Sequence, residues 1–144
     1  MTDAERQALL DALAAEYAAV YAYGVIAAFA SPERDRLIAE NTAAHRARRD
    51  TTVDALRATG TTAPPPEPAY TIPFPVDDPT AAARLAVTVE SDTAVAWRAV
   101  VENGESEQTR RIGVDALTEC ALRMGAWQAI LGVNPPTVAF PGKP

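Results

Sequence analysis

The chain predicts an all-α fold: a four-helix bundle of two antiparallel helical hairpins joined by one long crossover. Three observations carry that expectation. Four segments of helix-prone residues have readable starts and stops. One stretch, "GTTAPPPEPAYTIPFPVDD", is too rich in proline for helix. The connections run short, long, short, the loop pattern of a bundle with a single crossover.

The first helix is expected over about residues 3 to 29. Thr2 followed by Glu5 fits a capping box, and Leu9, Leu13, Glu16, Val20 and Ala27 recur at helical spacing. The second should run over about 32 to 59, opened by Ser31 as cap with Pro32 in the first turn and stopped before Gly60. Asp78-Pro79 repeats that signal for a third helix over about 79 to 102, with Val89, Thr93, Ala96 and Val100 on one face and Trp97 beside it. Asn103-Gly104 can end it, and acids at 105 and 107 suit the start of a fourth helix over about 105 to 131, stopped at Gly132. That helix shows two stripes, one with Leu117, Cys120, Met124, Trp127 and Leu131, the other with Ile112, Ala116, Glu119, Ala126 and Ile130. Two stripes predict packing on two sides, against the core or against a second copy in a homodimer.

Residues 60–78 form the crossover. In polyproline conformation, at about 3.1 Å per residue, it can run the length of a helix. The alternation of Tyr70, Ile72, Phe74 and Val76 predicts that it docks on the bundle. The tail, residues 132–144, should dock through Val138 and Phe140. The whole chain, 1–144, reads as one domain, an ordinary size for a single core.

Composition excludes several functions. A formal net charge of -6 argues against nucleic acid and anionic membrane as partners. The longest apolar run, Ala18 to Ala30, is too short to span a bilayer, and no basic, apolar leader opens the chain. Cys120 is the only cysteine, so neither an internal disulfide nor a cysteine zinc site can form, which suits the cytoplasm. Neither a nucleophile elbow nor a glycine-rich phosphate loop occurs. Trp97, Trp127 and Cys120 read as core, and Tyr17, Tyr21 and Tyr23 as packing residues.

One constellation could carry chemistry. Each helix has one candidate metal ligand near its middle: Glu16, His45, Glu90 and Glu119. Counted from the two hairpin turns at about 1.5 Å per residue, all four fall at a similar depth. Oxygen and imidazole ligands suit iron, manganese or zinc. Glu16 and Glu119 lie on apolar faces, whereas Glu90 lies at the edge of its stripe. Carboxylate bundles of this kind use Glu-x-x-His pairs. Here Thr42 stands three before His45, and Leu122 stands three after Glu119. At most one ion could be held. Buried carboxylates need a metal or a hydrogen-bonded cation, and Arg49 and Arg123 are at hand to serve as the cation.

The chain resembles the bacterial ferritin-like domain family of unassigned function. The likeness rests on "AAEYAAVYAYGV", "AAHRARRD", "AYTIPFPVDDP", "VESDTAVAWRAV" and the final "AFPG". It implies a ferritin-like four-helix bundle, with Glu16, Glu90 and Glu119 at carboxylate positions and His45 as the histidine of the first Glu-x-x-His. Thr42 and Leu122 break that pattern. The preferred expectation is therefore a non-catalytic binding or interaction bundle with a degenerate metal site; the sequence leaves the cofactor open between none and one iron, manganese or zinc ion, and names no small-molecule ligand. The alternative is a mononuclear iron, manganese or zinc protein with weak redox activity.

Overall fold

The structure, a computed structural model, describes residues 1–144. Its helices are α1 (Asp3–Phe29), α2 (Asp35–Ala58), α3 (Pro79–Asn103) and α4 (Glu107–Ile130), with a 3-10 turn at Pro32–Arg34. Thr2 caps α1 by accepting from the Glu5 amide, and Asp78 caps α3 by accepting from the Ala81 amide. Two helix starts differ from the sequence reading. Ser31 makes no backbone cap and the proline turn that follows is 3-10, so α2 begins at Asp35. Ser106 caps α4 through the Thr109 amide, which moves the start of that helix from the predicted 105 to Glu107.

The apolar core falls into two clusters, one at each end of the bundle. One gathers Ala19, Ala22, Tyr23 and Ile26 of α1 with Ile38, Ala82, Leu85, Val89 and Trp127. The other gathers Leu9, Ala12 and Leu13 with Leu56, Ala94, Trp97, Val100 and Cys120. Membership fixes the topology, because the start of α3 lies beside the end of α1 and the end of α4. The crossover must therefore return along the whole bundle, leaving Ala63 against one cluster and Ile72, Phe74 and Val76 against the other. These alternate residues are half-buried and the intervening ones exposed, as the pattern predicts. The Tyr17 hydroxyl donates to the Pro64 carbonyl, and the Tyr21 ring lies 5.8 Å from that of Tyr70, tying α1 to the same strap.

Packing is uneven around the bundle. α1 packs on α2 and α3, and α3 packs on α4, but α2 and α4 scarcely touch. Alanines explain the α1–α3 seam, with Ala12, Ala19 and Ala22 of α1 facing Ala82, Ala86 and Ala94 of α3. An 18-residue window of α1 is long and apolar enough to cross a membrane, which the search for an unbroken apolar run missed. In the fold, ten residues of this helix are buried in the bundle.

α4 packs chiefly on one side, not two. Its buried residues are Gly113, Ala116, Cys120, Met124 and Trp127, whereas Glu119 and Ala126 of the second stripe are exposed. The tail also docks differently from the expectation. Val138 and Phe140 are exposed, and Gly142 is the buried residue. Gly142 has φ +78°, and a Cβ there would stand 2.7 Å from the Ala94 carbonyl, so only glycine lets the tail close against α3.

A candidate metal layer closed by its own ion pairs

Between the two apolar clusters lies a polar layer. Helical spacing explains its membership. Tyr23 is two turns beyond Glu16 on α1, and Asn41 is one turn before His45 on α2. Glu16, His45 and Glu90 are fully buried. The sequence placed Glu90 at the edge of its stripe; α3 instead carries buried residues on both sides of it, Ala86 and Val89 before it and Thr93 and Trp97 after it.

His45 bridges the two buried carboxylates. Nδ1 donates to Glu16 Oε2 at 2.6 Å, and Nε2 donates to Glu90 Oε1 at 2.8 Å. A ring that donates from both nitrogens is an imidazolium. Burial lowers its pKa, but the hydrogen bonds and charges of Glu16 and Glu90 outweigh burial and push it up to about 9. The reciprocal holds for Glu90. Burial raises its pKa, yet His45, Arg123 and the Tyr23 hydroxyl together bring it below the usual carboxylate value.

The remaining carboxylate oxygens are also engaged. Trp97 Nε1 donates to Glu16 Oε1 at 2.7 Å. The Tyr23 hydroxyl donates to Glu90 Oε1 at 2.7 Å, while Asn41 and Trp127 donate to the Tyr23 oxygen. Arg123 Nε lies 3.1 Å from both Glu90 oxygens. No buried side-chain nitrogen or oxygen lacks a partner.

Glu119 does not join this layer. Its side chain is 47% exposed, and Arg48 Nη2 holds it at 2.8 Å. Arg123 leans inward to Glu90 and keeps only a 3.9 Å contact with Glu119. Arg49 pairs with Asp50, so Arg48 plays the part expected of Arg49. Thr42 donates to the Ile38 carbonyl of its own helix, and Leu122 is 70% exposed. A histidine at 122 would point to solvent. Two carboxylates (Glu16, Glu90) thus meet two cations (His45, Arg123) in the layer, Glu119 meets Arg48 outside it, and each set is charge-balanced.

As arranged, these side chains do not fit a metal ion. A coordinating histidine needs one nitrogen with a free lone pair, and both nitrogens of His45 carry protons that carboxylates accept. The oxygens of Glu16 and Glu90 face N–H and O–H donors. His45, Glu16 and Glu90 converge as hydrogen-bonded pairs, and no group of three His, Cys, Asp or Glu side chains is arranged to hold a metal ion. Cys120 adds no ligand, because burial first and then the Glu90 charge keep its thiol protonated.

Sequence reasoning found the layer's depth and Arg123 as one of its cations, but missed its neutral donors. Tyr23, grouped with its neighbours as packing, is the tyrosine inside, and its spacing from Glu16 was the available signal. Trp97 and Trp127 read as core and are core, but their indole N–H groups are what the acceptors need.

Fold and layer together define the class: a ferritin-like four-helix bundle with its polar residues at mid-height. A ferritin-like, diiron-carboxylate protein from Bacillus anthracis str. Ames superposes with a TM-score of 0.72 at 16% identity, covering 91% of this chain and 99% of that one. A conserved hypothetical protein, rv2844, from Mycobacterium tuberculosis superposes with a TM-score of 0.89 at 42% identity, covering 91% of this chain and 99% of that one. No curated protein matches the chain. The chain belongs to the family described as "Domain of unknown function (DUF4439)", which matches residues 8–144.

Proposed function

We propose that this protein is a non-catalytic ferritin-like bundle whose central layer is a degenerate metal site, closed by its own ion pairs, and whose surfaces serve binding. The observation that supports this is the His45 ring, engaged at both nitrogens by Glu16 and Glu90. An arrangement with a proton on each nitrogen competes with metal, because binding would require deprotonating His45 and detaching a carboxylate. The test is metal analysis of protein purified from unsupplemented cells, with His45→Ala as control, and thermal melting with iron, manganese or zinc. The expected result is no stoichiometric metal and an unchanged melting temperature. One equivalent of metal, lost in His45→Ala and raising the melting temperature, would establish the mononuclear alternative.

The interaction surface we assign is the outer face of α4 with the tail. Val114, Leu122, Val138 and Phe140 are exposed there, beside a groove of about 540 Å³ between Leu117, Ala121, Gly125 and Pro136. The groove wall carries no charged residue, and a projecting Phe140 next to a groove suits a two-fold pairing in which each copy fills the other. Light scattering should give a homodimer that Leu122→Asp converts to monomer; a monomer in the unaltered chain would remove this assignment. The single buried thiol of Cys120 fits the cytoplasm, where we place the protein.

A further inference from the structure

The open side of the bundle holds a second feature. Where α2 and α4 fail to pack, the Arg48–Glu119 pair bridges them. At the end of the bundle where α1 and α4 begin and α2 ends, a cleft of about 420 Å³ enters the seam, within the range of small-molecule sites. Ile112 gives it an apolar wall above the buried Leu9 and Trp97, and Thr52 and Ala55 of α2 line the opposite side.

Arg48 is the only charged side chain on this wall. Its side chain is 19% exposed, and its guanidinium lies 5.8 Å from the centroid of the Trp97 ring. Only Nη2 is engaged, by Glu119. Since no buried side-chain nitrogen lacks a partner, the free Nε and Nη1 open onto accessible space. A largely desolvated guanidinium with spare donors calls for an acceptor, and a carboxylate is the strongest match. The neighbouring hydroxyls do not supply one, since Thr51 and Thr52 both donate to the Arg48 carbonyl and their side chains turn along their own helix.

We propose that the α2–α4 cleft binds a small monocarboxylate with an apolar body, its carboxylate on Arg48 and its body between Ile112 and Ala55, above the buried floor of Leu9 and Trp97. The proposal rests on the binding role above and supplies its ligand class. It also gives Glu119 a role: it competes for Arg48. Nη2 forms a two-pronged edge with either Nε or Nη1, and Glu119 holds that edge.

Benzoate serves as the probe, with benzamide as its neutral analogue, titrated into the full-length protein and followed by ¹H–¹⁵N spectra including the two indole signals. The expected result is saturable benzoate shifts at Trp97 and the cleft amides, with benzamide at least tenfold weaker. Arg48→Gln should weaken benzoate at least tenfold, and Glu119→Gln should tighten it several-fold. Ala55→Leu fills the cleft without touching the polar layer, and should abolish the shifts while the melting temperature is retained. Equal binding of benzamide, indifference to Arg48→Gln, or no saturable shift would overturn the proposal. Metal uptake at His45 would instead overturn the closed-layer reading and leave these titrations standing, so the two failures are distinct.

Discussion

Along the α1–α3 seam, alanines bring two helices together and each turns one carboxylate inward, Glu16 from α1 and Glu90 from α3. Across the α2–α4 seam the helices stand apart and the Arg48–Glu119 pair bridges them, while His45 from α2 and Arg123 from α4 reach inward to the carboxylates of α1 and α3. One pair of helices supplies the buried carboxylates and the other supplies the cations. Glu119 is the exception, a carboxylate on the cation side, and it sits at the surface. The difference places a hydrogen-bonded cation beside each buried carboxylate at mid-height. The closely packed seam fixes the acceptors, and the looser seam leaves room for cations that need length and orientation.

Removing the donor shared by both seams should have the largest effect. His45→Leu leaves two buried carboxylates without the cation between them, a loss of about 3–5 kcal/mol. At this chain length that lowers the melting temperature by on the order of 10 °C. A variant as stable as the parent would show that the acceptors do not depend on the donor.

Titration probes the same contact without mutation. Because the His45 pKa is raised from 6.5 to about 9, its contribution is complete below pH 6.5 and is lost as pH rises through about 9. Because the Glu90 pKa lies below its ordinary 4.5, its contribution is complete above pH 4.5 and is lost as pH falls through the lowered folded value. Melting temperature against pH should therefore plateau between these limits and fall on the alkaline side. In His45→Leu the alkaline fall should vanish; its persistence would assign it elsewhere.

Trp97→Phe keeps an aromatic side chain and removes the pyrrole ring with its N–H, the donor to Glu16. Glu16 Oε1 then loses its indole partner, at about 1–3 kcal/mol by chemical denaturation. The smallest effect belongs to the exception. Glu119→Ala breaks a pair whose carboxylate is half-exposed, and should change stability by less than ~1 kcal/mol. A loss as large as that of His45→Leu would place Glu119 in the central layer after all.

The fold was legible because its signals are local. Thr2, Asp78 and the prolines from 64 to 75 announce helix starts and a crossover whatever the tertiary contacts. The depth of Glu16, His45 and Glu90 was legible too, since rise per residue is constant. Rotation about each helix axis was not. An alanine-rich face looks the same inside and outside, so Glu119, between Ala116 and Ala126, read as buried when the helix turns Cys120 and Arg123 inward instead. The choice of Arg48 over Arg49 is likewise one residue of rotation, about 100° around the axis. The tail was misread for a different reason: Gly142 docks because it lacks a side chain, and no apolar pattern marks that.

The central claim is that His45 is a doubly protonated bridge between Glu16 and Glu90. The most direct measurement is a long-range ¹H–¹⁵N spectrum of the His45 ring at neutral pH, recorded with and without added zinc. The account predicts two protonated ring nitrogens and no change with metal. A neutral ring with one bare nitrogen, or a zinc-dependent shift of that nitrogen, would contradict it.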